Sequence, residues 1–248
     1  MGRVERLQRD DGNYLAYART LGKSPTVVFL GGFRSDMTGT KAVALEAWAE
    51  ERGQAFLRFD YLGHGHSSGR FEDGTIGRWK DDSLAAIDTL TDGKLVLVGS
   101  SMGGWLSLLA ARARPERLAG LVLIAAAPDF TERMLLGGLS AEDRAILQRD
   151  GRLERASQYS PAPSVFTWKL IEEGRNHLLL DKPLTLPCPV RLLHGQSDPD
   201  VPWEYSLQIA RHLEAPEVIS TFVKGGDHRL STPADIARLI ATVEELVR

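Results

Sequence analysis

The sequence predicts an α/β fold built on a doubly wound, mostly parallel sheet. Short runs rich in Val, Leu, Ile and Phe recur along the chain, and they are nearly continuous rather than alternating with polar residues. Such runs are typical of strands buried on both faces of a parallel sheet. Longer segments with apolar residues at helical spacing separate these runs, and this alternation of strands and helices indicates the fold class.

The individual elements follow in order along the chain. Val4–Arg9 and Tyr14–Arg19 flank an Asp-Gly turn, which predicts a β-hairpin that opens the sheet. The apolar runs predict the remaining strands, at Thr26–Leu30, Ala55–Phe59, Leu95–Val98, Leu121–Ala125, Val190–Leu193 and Val218–Val223. The amphipathic segments predict helices at roughly Thr40–Arg52, Arg78–Leu90, Met102–Arg114, Pro202–Leu213 and Pro233–Val247.

One stretch, from about Asp129 to Leu180, breaks the alternation of strands and helices. It contains charged segments, the apolar Met134-Leu135-Leu136 and the proline-rich Ser160-Pro161-Ala162-Pro163. A structureless loop of ~50 residues is improbable in a compact domain. We therefore expect one domain over residues 1–248 with a mainly helical cap inserted at about 129–180, where ligands bind in α/β sheets. A surface insertion without a role in binding is the alternative.

Composition excludes several classes of protein. The 248 residues carry a formal net charge of −3 and show no basic stripe, which argues against a nucleic-acid partner. No apolar run approaches the ~18 residues of a transmembrane helix. The first residues do not resemble a secretory signal, and the lone Cys188 cannot form an internal disulfide. We therefore expect a cytoplasmic protein.

The chemistry is indicated first by Gly99-Ser100-Ser101-Met102-Gly103, a G-x-S-x-G motif between a predicted buried strand and a predicted helix. A sharp strand-to-helix turn presents a serine hydroxyl at the sheet edge, and flanking glycines avoid clashes in that turn. Ser101 occupies the nucleophile position, and Ser100 lies one place off the motif. A capping Ser-Ser pair with packing glycines is the alternative.

A serine nucleophile needs a base, and His228 is the candidate among six histidines. It follows the last predicted strand and precedes the final helix. His194 ends a strand and is interpreted as a structural residue. His64 and His66 lie in a glycine-rich loop, where a metal site would lack a third ligand at suitable spacing.

A carboxylate must orient the histidine, and Asp198 follows a predicted strand and a glycine turn. Asp200 is a close rival, and Asp129 is a weaker candidate. Two backbone N–H groups must stabilise the oxyanion: that of Met102, after the nucleophile, and that of Phe33, in the loop after the Thr26–Leu30 strand.

The segment from Asp60 to Gly69 is rich in glycine, histidine and serine. It lacks the Gly-Lys-Ser/Thr ending of a phosphate-binding loop. We interpret it as a shaped loop near the pocket.

With these residues the sequence resembles the serine hydrolases of the α/β-hydrolase fold, in which the serine, the acid and the histidine occur in this order. More narrowly, it is similar to the animal mitochondrial family of palmitoyl-protein thioesterases and acyl-glucuronide esterases. The likeness is weakest in the predicted cap and is carried by Gly32-Phe33, Thr38-Gly39-Thr40-Lys41-Ala42, Arg58-Phe59-Asp60-Tyr61, Gly99-Ser100-Ser101, Gly103-Gly104-Trp105, Arg191-Leu192-Leu193-His194-Gly195, Val201-Pro202-Trp203 and Asp227-His228-Arg229.

The resemblance implies a triad of Ser101, Asp198 and His228, with the Phe33 and Met102 N–H groups as oxyanion donors. It implies hydrolysis of thioesters or esters with a bulky acyl group, through an acyl-enzyme and with no metal or organic cofactor. The substrate is then an acylated small molecule or an acylated protein. The divergent cap leaves its identity open.

Three other functions stay open on the sequence, because a fold does not determine a function. One is a small-molecule carboxylesterase without thioesterase activity, and another is a ligand-binding module on a hydrolase scaffold. The third uses the same triad for C–C cleavage or for acyl transfer to another acceptor.

Overall fold

The computed structural model describes residues 2–156 and 163–248. Its strands are β1 (Glu5–Gln8), β2 (Tyr14–Thr20), β3 (Lys23–Leu30), β4 (Gln54–Phe59), β5 (Leu95–Ser100), β6 (Leu118–Ile124), β7 (Arg152–Arg155), β8 (Ser164–Thr167), β9 (Leu184–Thr185), β10 (Val190–Gly195), β11 (Leu213–Glu214) and β12 (Val218–Val223). Its helices are α1 (Thr40–Arg52), α2 (Ile76–Leu90), α3 (Met102–Ala113), α4 (Ala141–Asp150), α5 (Trp168–Gly174), α6 (Glu204–His212) and α7 (Pro233–Leu246).

The central sheet has eight strands in the order β1-β2-β4-β3-β5-β6-β10-β12. β1 and β2 pair as an antiparallel hairpin, and β2 is also antiparallel to β4. The remaining neighbours are parallel. The predicted α/β fold, with a mostly parallel sheet opened by a hairpin, is confirmed. Because β3, β4, β5, β6, β10 and β12 are parallel to one another, the chain leaves all six at one edge of the sheet.

Helices cover both faces of the sheet, which explains the continuous apolar runs. In β5, Leu97 belongs to a core cluster that includes Trp79 of α2 and Trp105 of α3. Its neighbours Val96 and Val98 belong to the opposite cluster, with side chains of α1 and α7. Successive strand residues point to opposite faces, so a strand covered on both sides must be apolar at every position.

The element boundaries differ slightly from the predicted ones, mainly where helices begin. α2 begins at Ile76 rather than at Arg78, because the hydroxyl oxygen of Thr75 accepts the Arg78 N–H at 3.1 Å and caps the helix. α7 begins at the predicted Pro233, with a capping box between Thr232 and the helix's first turn.

Between β6 and β10 the chain leaves the alternating pattern of strands and helices. A π-helical turn at Thr131–Leu136 precedes α4, and an antiparallel β7–β8 pair, which was not predicted, lies between α4 and α5. Of the Ser160-Pro161-Ala162-Pro163 stretch, residues 160–162 lie outside the described residues. This segment has a small apolar cluster of its own, formed by Leu135, Leu136, Leu139, Leu147, Leu153 and Ile171.

Asp129 joins the two ends of this segment. Its buried carboxylate accepts the N–H groups of Leu179 at 2.8 Å and Leu180 at 2.9 Å. It therefore holds the last residues of the segment against the first, and it is not a partner of His228.

Among the described residues, no helix combines the length and the hydropathy that crossing a bilayer requires.

Candidate active site

Ser101 lies on the sharp turn between β5 and α3, with φ 55° and ψ −120°. This left-handed conformation is strained for a residue with a side chain, and it is held because the backbones around it pack closely. A Cβ atom on Gly99 would lie 2.3 Å from the Gly103 carbonyl oxygen, and one on Gly103 would lie 2.1 Å from that of Leu30. The glycines of the motif are therefore required by the packing of the turn.

The structure brings the three predicted side chains into one hydrogen-bonded row. The Ser101 hydroxyl donates to His228 Nε2 at 3.1 Å, and His228 Nδ1 donates to Asp198 Oδ2 at 2.7 Å. His228 lies between β12 and α7, and Asp198 follows β10, so all three residues sit just beyond strand ends at the same sheet edge. Ser100 is buried as the last residue of β5, and the contact of His228 is with Ser101.

The side chain of Asp198 is fully buried, and both of its carboxylate oxygens accept hydrogen bonds. Oδ1 accepts the N–H groups of Asp200 at 2.8 Å and Val201 at 2.9 Å, while Oδ2 accepts from His228 and from His194. Burial alone would raise the pKa of Asp198, but the hydrogen bonds from the two imidazoles and from Val201 outweigh it and hold the pKa well below its usual range. Asp198 is therefore a carboxylate at neutral pH.

The rival acid, Asp200, is exposed and lines the cavity in front of the serine. The contact to His228 Nδ1 comes from Asp198. The choice between these two carboxylates thus required geometry, because both lie in the same turn after β10.

The predicted oxyanion donors lie on two backbones that meet at Ser101. A Cβ atom on Gly32 would lie 3.3 Å from Ser101 Cβ, so the loop after β3 passes directly beside the nucleophile. Met102 is the first residue of α3, where N–H groups have no intrahelical acceptor. Within the described part of the chain, the Phe33 N–H donates to no other group. Both N–H groups are thus available for a ligand oxygen.

The segment at residues 60–64, predicted only as a shaped loop, supports this oxyanion loop from behind. Three hydrogen bonds join the two segments: from Tyr61 Oη to the Gly31 oxygen (3.1 Å), from the Arg34 N–H to His64 Nε2 (3.3 Å) and from the Met37 N–H to Asp60 Oδ1 (2.6 Å). Sequence reasoning missed these supporting roles, because the partners lie some thirty positions apart and no local motif links them.

A cavity of about 760 Å³ lies in front of Ser101 and His228, within the range of ~300–1,000 Å³ that small-molecule sites cover. One wall is apolar and includes Phe130, Met134, Leu135 and Phe166 from the 129–180 segment. The ring of Phe166 stacks on that of Phe33, with centroids 5.3 Å apart and planes parallel within 1°.

The cavity lining also carries charged side chains, namely the cations Arg34, Lys41, Arg155 and Arg229 and the carboxylates of Asp36 and Asp200. Lys41 Nζ donates to the Arg229 carbonyl oxygen, beside His228. Burial, together with the charge of Arg229, lowers the pKa of Lys41 to about 8. The cavity therefore offers both apolar and charged groups to a bound molecule.

One group in the described residues could supply three metal ligands, namely Asp198, Asp200 and His228, whose ligand atoms lie within 4.8 Å of one another. A metal ion there would have to replace the proton that His228 donates to Asp198. These side chains can therefore bind a metal ion or form the hydrogen-bonded row from Ser101 to Asp198, but they cannot do both at once. His64 is committed elsewhere, since its two nitrogens contact the Leu62 oxygen and the Arg34 N–H.

With the fold and this geometry established, comparison with known proteins defines the class. Residues 27–239 match the model of the Alpha/beta hydrolase family. The chain belongs to the α/β hydrolase family, as the sequence resemblance led us to expect. Individual members of this family are also closely similar to the chain. Their similarity shows that the chain is a hydrolase of the thioesterase and esterase class.

Two kinds of relative support this assignment. The mouse protein named palmitoyl-protein thioesterase ABHD10, mitochondrial, is 41% identical over 242 residues, which cover 97% of this chain and 81% of that protein. The crystal structure of a candidate hydrolase from Agrobacterium vitis S4 superposes with a TM-score of 0.95 at 40% identity, covering 100% of both chains. The structure of mouse alpha/beta hydrolase domain-containing protein 10 gives 0.91 at 40% identity, covering 99% of this chain and 98% of that one.

The expectation of a cytoplasmic location is wrong. The curated relatives that match 97% of this chain are named as mitochondrial proteins in mouse, cattle, rat and human. The expectation depended largely on the lone Cys188, which is free and buried. A single cysteine excludes an internal disulfide, but it does not distinguish one reducing compartment from another.

Proposed function

We propose that this protein is a serine hydrolase that cleaves thioesters or esters of a bulky apolar acyl group through an acyl-enzyme. The observation that carries the proposal is the row of hydrogen bonds from Ser101 through His228 to Asp198, at the base of a cavity of about 760 Å³. Membership of the hydrolase family supports the reaction class.

In the first half-reaction the Ser101 hydroxyl attacks the substrate carbonyl, and His228 Nε2 accepts its proton over the 3.1 Å hydrogen bond. Asp198 accepts from Nδ1, which fixes the tautomer with an unprotonated Nε2 and stabilises the imidazolium that forms. The Phe33 and Met102 N–H groups stabilise the oxyanion, a contribution worth ~10²–10³ in rate for each donor.

The first half-reaction ends when the tetrahedral intermediate collapses. The His228 imidazolium protonates the departing thiolate or alkoxide, and the C–S or C–O bond breaks to leave an ester on Ser101 Oγ. In the second half-reaction water gives a proton to His228 and attacks this ester. The acid product leaves, and the proton returns to Ser101. The residues described here complete this cycle without a cofactor.

We assign the acyl group to the apolar wall and propose that residues 129–180 act as a cap. Phe130, Met134, Leu135 and Phe166 line the cavity from this segment and would cover an acyl chain on the side away from the sheet. Burial of apolar surface stabilises binding by roughly 25 cal/mol per Å², so a long chain is favoured over a short one. The name of the mouse relative, a palmitoyl-protein thioesterase, agrees with this assignment.

We assign the leaving group to the charged part of the lining, where Arg34, Lys41 and Arg229 present cations. An acylated cysteine of a protein, or the anionic alcohol of an acyl glucuronide, meets this requirement better than an apolar alcohol. The preference between a thiol and an alcohol leaving group is tested by measuring hydrolysis rates for acyl thioester and acyl ester probes of matched chain length. Turnover of the esters alone would identify a small-molecule carboxylesterase instead.

Labelling with a fluorophosphonate tests the nucleophile. We expect stoichiometric labelling of the wild-type protein and none of Ser101→Ala, with Ser100→Ala as the matched control that still reacts. Undiminished labelling of Ser101→Ala would remove the assignment. A wild-type protein that labels once but hydrolyses no probe in multiple turnovers would be a binding module on a hydrolase scaffold.

The acid is tested by changing Asp198 and Asp200 singly to Asn. Asp198→Asn gives the imidazole a donor where it needs an acceptor, so we expect kcat to fall by about 10⁴, as for the equivalent change in serine proteases. Asp200→Asn leaves the His228 contact intact and should retain most of the activity. A larger loss at Asp200 would show that the carboxylate has been assigned wrongly.

A further inference from the structure

His194, in β10, contacts the same oxygen of Asp198 as His228 does. Its side chain is fully buried, and its Nε2 lies 3.1 Å from Asp198 Oδ2 and 3.0 Å from the Val201 carbonyl oxygen. A carboxylate and a carbonyl only accept hydrogen bonds, so Nε2 must carry a proton. Nδ1 lies 2.7 Å from the buried hydroxyl of Ser206 in α6, which holds the ring in this orientation.

We propose that His194 is a positioning residue for the hydrolysis, a second imidazole donor that holds Asp198 Oδ2 in front of His228 Nδ1. The proposal rests on the proposed function of Ser101, Asp198 and His228. It adds a role for a residue that the sequence alone indicated to be structural, because its contacts lead directly to the acid.

The two carboxylate oxygens of Asp198 accept hydrogen bonds from different kinds of donor, and His194 acts on only one of them. Oδ1 is held by backbone N–H groups of the turn that follows, at 2.8 and 2.9 Å. Among the described residues, the donors to Oδ2 are the two imidazoles, of His228 and His194. His228 gains and loses a proton in each half-reaction, whereas His194 contacts no reacting atom. His194 is therefore the donor that keeps Oδ2 in place throughout the cycle.

The charge of the shared oxygen gives a second consequence. A donor on Oδ2 stabilises the carboxylate and draws part of its negative charge away from His228. Loss of the His194 donor would leave that charge fully available to the His228 imidazolium. The acid limb of the pH profile of kcat/KM would then move to higher pH, in addition to a fall in kcat.

Two substitutions separate this role from packing. In His194→Gln the side-chain amide reaches the place of Nε2 and can donate to Asp198, whereas in His194→Asn the shorter amide ends near the place of Nδ1. Both remove the imidazole from the same buried site. Thermal unfolding of each variant measures the cost to the fold, and fluorophosphonate titration counts the sites that remain assembled.

For His194→Asn we expect kcat per labelled site to fall by about 10- to 100-fold, the size of losing one hydrogen bond to a charged group. KM should change little, because His194 does not line the cavity. The acid limb should move to higher pH, and His194→Gln should recover kcat and the wild-type profile. Equal losses in the two variants, or an unshifted acid limb in a folded His194→Asn protein, would overturn the proposal.

A measurement on the wild-type protein covers the case in which neither variant folds. In protein labelled with ¹⁵N-histidine, we expect the His194 Nε2 proton to shift when a fluorophosphonate modifies Ser101, because the charge on His228 changes at the shared Oδ2. A His194 signal that stays in place would overturn the proposal. Failure of Ser101 to label would instead refute the proposed function, so the two failures are distinguishable.

Discussion

The buried imidazole of His64 predicts a loss of stability in acid that one substitution should remove. Only 3% of the surface of His64 is exposed, and the rings of Tyr61, Phe71 and Trp79 surround its imidazole with centroids 5.1–5.3 Å away. Nδ1 donates to the Leu62 oxygen, and Nε2 accepts the Arg34 N–H. Protonation at Nε2 would place a second N–H group opposite the Arg34 N–H, so that two donors face each other. It would also place a charge among aromatic rings.

The magnitude follows from the pKa of this group. Burial, opposed by the hydrogen bond to Leu62 and assisted by the charge of Arg34, lowers the pKa of His64 from 6.5 to about 4. Between these values the unfolded chain binds a proton that the folded protein refuses, so stability is complete above pH 6.5 and falls as the pH approaches 4. The loss from this group is about 1.4 kcal/mol at pH 5.5 and about 2.5 kcal/mol at pH 4.5.

His64→Gln is the informative variant, since the Gln carbonyl can take the place of Nε2 as acceptor for the Arg34 N–H and does not titrate. Urea unfolding of both proteins at pH 7.5, 5.5 and 4.5 gives the free energies. We expect the wild-type advantage at pH 7.5 to shrink by about 1.4 kcal/mol at pH 5.5 and by about 2.5 kcal/mol at pH 4.5.

Buried carboxylates such as Asp60 and Asp82, whose pKa values burial raises, titrate alike in both proteins and cancel in the difference. A gap between the two proteins that does not change with pH would refute the reasoning. It would mean that His64 accepts its proton in the folded state at an ordinary pH, despite its enclosure.

Three further predictions address the fold and the cavity. Glu46→Ala should lower the free energy of unfolding in urea by about 3–5 kcal/mol, because it leaves the buried Arg58 charge unpaired. Glu245→Ala, which removes an exposed ion pair on α7, should lower it by at most about 1 kcal/mol. Equal losses of unfolding free energy in the two variants would contradict this prediction. Gly103→Ala should abolish fluorophosphonate labelling, because its methyl group would lie 2.1 Å from a β3 carbonyl oxygen, and full labelling would show that the turn can yield. Phe166→Ala should reduce kcat/KM about 10- to 150-fold for long-chain acyl probes and little for acetyl probes, since it removes about 1.5–3 kcal/mol of apolar contact available only to long chains. A uniform loss would place the acyl chain elsewhere.

The fold was predictable from sequence because its strongest constraint is local. In β5, Val96, Leu97 and Val98 are all buried, since helices cover both faces of the sheet, and the result is a continuous apolar run. The same parallel arrangement made the candidate site predictable. Ser101 and His228 each follow a strand of the sheet, and parallel strands bring their carboxyl ends to one edge.

The supporting residues could not be predicted in the same way. His64 contacts Arg34 across thirty positions, and nothing near either residue indicates the pairing. His194 lies only four residues before Asp198, so a signal was present: a histidine at a strand end ahead of a glycine turn and an acid. That spacing fits a structural histidine equally well, and only the direction of its ring separates the two interpretations.

The β7–β8 hairpin was missed for a further reason, and this bears on substrate choice. Its strands of four residues each are too short to show a periodic pattern, yet β8 carries Phe166 into the cavity. The 129–180 segment thus supplies much of the apolar lining that we assign to the acyl chain, and it also supplies the cation Arg155. Arg34 and Arg229 lie in loops that follow strands of the sheet, and Lys41 lies in the first turn of α1. We therefore expect substitutions of Phe130, Met134 and Phe166 to change acyl-chain preference, whereas leaving-group preference depends on cations from both parts of the molecule.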